Sequence, residues 1–163
     1  MGRYSKLIGA GLAAIAGTLA PQVHAAPVVA PSAEQVELLD LLELGAKYLL
    51  RRGEHVPVTA FVMRPSSEIE LIDFEQGFAH QQDALAAIIA RLVPMAQAKQ
   101  IKAYGIMYQP GDPGAEKLPV LAFVLEQVGH PRFFVALTYE RIGSKVTFGP
   151  EKYEAAPAKL LAD

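Results

Sequence analysis

The chain has 163 residues, 52% of them hydrophobic, with 15 basic and 17 acidic side chains and no cysteine. That length suits one core and excludes a large multidomain enzyme; the absence of cysteine excludes disulfides, thiolate metal sites and cysteine nucleophiles. A balance slightly on the acidic side, without a basic stripe, argues against nucleic acid as a partner.

Residues 1–25 have the form of an export signal. Arg3 and Lys6 give a positive start, Leu7 to Ala20 an apolar run, and Val23-His24-Ala25 a cleavage site after Ala25. The 14-residue run carries Gly9, Gly11 and Gly17 and falls short of the ~20 residues a spanning helix needs. No twin arginine or lipoprotein cysteine is present, so the expectation is Sec-type cleavage and a periplasmic or secreted domain with no membrane anchor. Only Arg3 and Lys6 would be lost with the signal, so the mature chain is the more acidic one.

Residues 26–31 form a Pro-rich leader, and order is expected from Ser32. Ser32-Ala33-Glu34-Gln35 has the form of a capping box, and the Leu-rich segment behind it predicts a helix to about Arg52. Its apolar positions are so many that most of its circumference is expected to be covered, and Gly53 stands where a left-handed cap belongs. Val56–Met63 and Glu68–Phe74 read as a hairpin around Pro65-Ser66-Ser67. Asp83 to about Lys99 predicts a second helix that Pro94 must bend or interrupt. Ile101–Tyr108, Leu118–Val128 and Arg132–Ile142 predict three strands, the last two joined by Gly129-His130-Pro131. Lys145–Phe148 can add a short strand, and residues 150–163 read as a partly ordered tail with a turn of helix at Ala158–Leu161.

The short links imply antiparallel pairing. The expected fold is therefore a single α+β domain over 32–149, with a central antiparallel sheet of about five strands and both helices packed on it. The element order is similar to that of roadblock and profilin-like folds, a likeness of topology alone. Lys102-Ala103-Tyr104-Gly105, Phe123-Val124-Leu125-Glu126, Leu137-Thr138-Tyr139 and Val146-Thr147-Phe148-Gly149 carry a further likeness. On these segments the chain resembles a family of small uncharacterised bacterial α+β proteins, which implies the fold and no activity.

Three groups of residues could carry chemistry. Glu126 is an acid in an apolar strand row with Val120, Ala122, Val124 and Val128, and a tight hairpin would set it opposite Val135 with Tyr139 and Arg141 as partners. Burial could make it a catalytic carboxylate, although a structural acid satisfied by a hydroxyl or cation is the favoured reading. Asp73, Glu75 and His80 could approach a metal ion, but their spacing matches no calcium or zinc pattern and a solvated acidic face is preferred. His55, His130 and Ser66 or Ser67 lack a nucleophile elbow, and no glycine loop has phosphate-binding spacing. Nothing in the sequence asks for a cofactor.

The remaining signal is apolar. Two readings fit it: the aromatic rings are core under a helix on one sheet face and the other helix or a partner on the second, or two helices are too few for two faces and an apolar area stays open as a ligand groove or a homodimer surface, with Tyr104, Phe123, Glu126, Phe134, Tyr139 and Arg141 as its candidates. The reading is an exported binding domain acting on itself, another exported protein or a small ligand; the alternative is a small periplasmic hydrolase.

Overall fold

Helix α1 (Ala33–Arg52) is specified almost entirely by its own ends. The Ser32 hydroxyl accepts from the Gln35 amide at 3.1 Å while the Gln35 side chain accepts from the Ser32 amide at 2.9 Å, which closes the capping box. Gly53 ends the helix at φ 77°, a left-handed position that glycine fills without strain. The Gln35 amide group also donates to the Pro131 carbonyl at 2.9 Å, tying the start of α1 to a distant turn.

The computed structural model describes residues 29–72, 80–111 and 118–161. The export signal expected at 1–25, and Asp73 and Glu75, lie outside the described residues. After α1 come β1 (Thr59–Met63), β2 (Ile69–Ile72), α2 (Gln81–Gln97), β3 (Ala103–Tyr108), β4 (Val120–Gln127), β5 (Arg132–Ile142), β6 (Lys145–Phe148) and β7 (Lys152–Ala156). The fold is α+β, as the spacing of the elements predicts. All pairings are antiparallel, in the order β2-β1-β3-β4-β5-β6, with β7 also on β5. The sheet has seven strands instead of about five. Of the two extra strands, β6 is the short one that Lys145–Phe148 could add, and β7 comes from the expected tail: β7 pairs with the first half of β5 (Arg132–Ala136), and β6 with its second half (Tyr139–Ile142).

Alternation divides the sheet residues between two cores. Met63, Ala103, Met107, Leu121, Phe123, Leu125, Phe133, Val135 and Leu137 face α1, which buries Leu38, Leu39, Leu42, Ala46 and Leu50 against them. Each large aliphatic side chain so buried contributes about 1.5–3 kcal/mol. On the opposite face α2 sets Ile88 and Leu92 over Ala60, Val62, Tyr104 and Ile106. One local expectation fails: Leu44 and Tyr48 of α1 are 67% and 59% exposed, so the helix buries one stripe and not most of its circumference. Of the two effects expected of Pro94, a bend or an interruption, the interruption does not occur, since α2 continues through the proline to Gln97. No helix among the described residues is long and apolar enough to cross a membrane.

Gly105 lets α1 approach β3 closely: a Cβ there would stand 3.0 Å from Leu42 Cδ1 and 3.2 Å from Leu125 Cδ2. Strand propensity alone predicts that Gly105→Val stabilises the chain, whereas overpacking of this contact predicts a loss of about 1–3 kcal/mol. Urea unfolding that shows the loss supports the close contact; a raised midpoint refutes it.

Candidate functional site

Strand β4 places Leu121, Phe123 and Leu125 toward α1 and Val120, Ala122, Val124 and Glu126 toward the α2 side. Glu126 has no solvent exposure. An unpaired carboxylate in that position would be very costly, so its oxygens need donors. Oε2 accepts from the Tyr104 hydroxyl at 2.7 Å. Oε1 accepts from three consecutive backbone amides, those of Lys159, Leu160 and Leu161, at 2.7, 2.6 and 2.6 Å. Burial first, and then donation to Glu126, push the Tyr104 hydroxyl well above its usual range, so it stays a donor. Leu161 enters the second core at 4% exposure and plugs the chain end beside the carboxylate.

The partners expected for Glu126 are therefore corrected. The hairpin register pairs Val124 with Phe134 and Leu125 with Phe133, so Val135, Leu137, Tyr139 and Arg141 belong to a different register and row than Glu126. The expected alignment is off by three residues, and an odd shift exchanges the faces. Val128, expected in the Glu126 row, sits in the turn at 44% exposure. The Tyr139 hydroxyl instead accepts from the Gln109 side chain at 2.9 Å, and the Arg141 guanidinium lies against Gly53.

The six surface candidates separate accordingly. Tyr104, Glu126 and Phe134 share the α2 side of the sheet, whereas Phe123 is buried under α1, Tyr139 is nearly so, and Arg141 is exposed at the far end of β5. Of the metal candidates only His80 is described; it is the exposed N-cap residue of α2 and makes no side-chain cap. Among the described residues no group of three or more His, Asp or Glu could hold a metal ion. His55 contacts Gln81 at 3.0 Å near the start of α2, while the Ser67 hydroxyl accepts from Lys102 at 2.8 Å beside the start of β3. None of the hydrogen bonds made by the described residues joins a serine to His55 or His130.

What the α2 side does assemble is a groove. Helix α2 covers the β1–β3 half of this face, and beyond it Ala122, Val124, Phe134 and Ala136 remain half-buried. Leu85 and Ile89 of α2, Tyr104, Ile106, Val124 and Phe134 of the sheet, and Leu160 of the tail enclose about 280 Å³, with Tyr108, Arg132 and Lys159 completing the lining. A second hollow of about 250 Å³ continues over Ala122, Ala136 and Lys152. Arg132 stacks its guanidinium over Phe134 at 4.8 Å, and its buried Nε has no hydrogen-bond partner. Neither Arg132 nor residues 159–161 stand out in the sequence as site residues. The Leu160-Leu161 pair, apolar and close to the chain end, is the signal that could have found the second.

The chain matches no family model, no curated protein and no solved structure, so the reading of this site rests on its own geometry.

A separate acidic cluster lies on the α1 side, where burial, then Glu151 and Asp40, raise Glu43 from 4.5 to about 7 against the pull of Lys47. Between pH 4.5 and 7 the folded chain retains a proton that the unfolded chain has released, so this group's contribution to stability falls as pH rises through that window. Glu43→Gln should raise the melting temperature at pH 8 and change it little at pH 5; an equal effect at both pH values contradicts the assignment. For the buried carboxylate, Glu126→Gln places an amide against three amide donors and should cost about 2–4 kcal/mol in urea unfolding, with faster proteolysis beyond Ala156. Wild-type stability with an uncleaved tail would show that the carboxylate is dispensable.

Proposed function

We propose that the chain is an exported binding domain whose working surface is the open half of the sheet's α2 face. The groove beside α2 carries this reading: apolar side chains from a helix, three strands and the tail converge on one concavity, and the polar groups in it are few. A volume of about 280 Å³ lies at the small end of ligand sites. Export is supported by the composition of residues 1–25, with a positive start, a short apolar run and a small-residue cleavage site. The hydrolase alternative has less behind it. A general acid or base must reach its substrate, whereas both Glu126 oxygens are occupied by protein donors and neither meets solvent.

A dye that fluoresces in apolar surroundings should bind the folded protein with one site per chain, and Ile89→Glu, a change on the half-exposed face of α2, should weaken it at least tenfold. Undiminished dye binding by that variant contradicts this location. Sedimentation at micromolar concentration identifies the occupant: a monomer that binds dye supports a small ligand, and a dimer that excludes dye supports a second copy of the chain.

A further inference from the structure

We infer that the occupant of the groove beside α2 is an amphipathic anion, a short acyl chain ending in a carboxylate, with Arg132 and Lys159 receiving the charged end. This inference rests on the groove being the working surface and adds the chemistry of what fills it. A volume of about 280 Å³, at the small end of ligand sites, suits a short acyl chain, and the adjoining hollow of about 250 Å³ gives such a chain room to extend.

The charge distribution decides its head. The charged side chains lining the groove are Arg132 and Lys159, both cationic. Glu126 stands opposite Arg132 in the hairpin register, yet its carboxylate is turned to Tyr104 and the three tail amides, and no ion pair joins it to Arg132. Glu154, across from Phe134 on β7, is exposed and makes no ion pair with Arg132 either. The buried Arg132 Nε is thus a donor without a protein acceptor, and the guanidinium that carries it lies over Phe134 in the groove lining. Guanidinium matches carboxylate geometry with two parallel donors, and its position over the Phe134 ring at 4.8 Å holds it at the groove floor. The apolar walls, Leu85, Ile89, Val124 and Leu160, offer the tail of such a ligand cover without hydrogen-bond competition.

Displacement of the dye from the intact protein by octanoate, octan-1-ol and octylamine tests the proposal. Octanoate should displace the dye at concentrations at least tenfold below octanol, with octylamine the weakest. Lys159→Gln, at an exposed side chain, and Arg132→Gln should each narrow that gap, and together close it. Equal displacement by octanoate and octanol, or a gap that both substitutions leave intact, overturns the anion while sparing the groove. Failure of all three compounds to displace the dye overturns the groove reading as well.

Discussion

A carboxylate sealed from water and held by four donors is the contact on which the second face of this molecule depends. Glu126 sits mid-sheet among apolar residues, where an isolated charge would be expelled or neutralised. Three consecutive amides of the C-terminal segment converge on one of its oxygens, and the Tyr104 hydroxyl takes the other. Such charge-assisted bonds are shorter and stronger than neutral ones, and they are directional. The carboxylate therefore fixes where the last described residues lie: Leu161 in the core and Leu160 at the groove wall. Because the tail follows directly on β7, the same contact holds the end of a strand that otherwise has only β5 as its sheet neighbour.

Coverage of the sheet explains why a groove exists at all. Seven strands offer two faces, and α1 with its leucine stripe closes one of them. Helix α2 is 17 residues long and lies over the β1–β3 half of the other, where Ile88 and Leu92 are completely buried. The tail adds only a narrow strap beyond it. Between helix and strap the half-buried Val124 and Phe134 keep an apolar floor open, and Arg132 brings a cation to its edge. On the proposed reading, an apolar floor beside Arg132 and Lys159 would select ligands by charge as well as by shape.

Elements with local causes were legible in the sequence. Ser32 and Gln35 at one end and Gly53 at the other state the limits of α1, and β5 runs from Arg132 to Ile142 as its alternation predicts. What depends on the register of one strand against another was not. The turn around Gly129 sets the β4–β5 alignment, and a shift of three residues exchanges the supposed neighbours of Glu126, Val135 and Tyr139, for Arg132 and Phe134. Strand β7 was invisible for a related reason: Lys152–Ala156 is mostly exposed and Ala-rich, and it is a strand because the outer edge of β5 offers it partners. The helix count left two outcomes open, a sheet covered on both faces or one with an open area, and of the six residues named for the second only Tyr104, Glu126 and Phe134 lie on the α2 side.

Amide hydrogen exchange at Lys159, Leu160 and Leu161 tests the central claim most directly, because these three amides have no strand or helix partner to protect them. If the Glu126 carboxylate holds the tail, they exchange as slowly as the amides in the middle of β4. Exchange at the rate of an unstructured peptide would contradict the account.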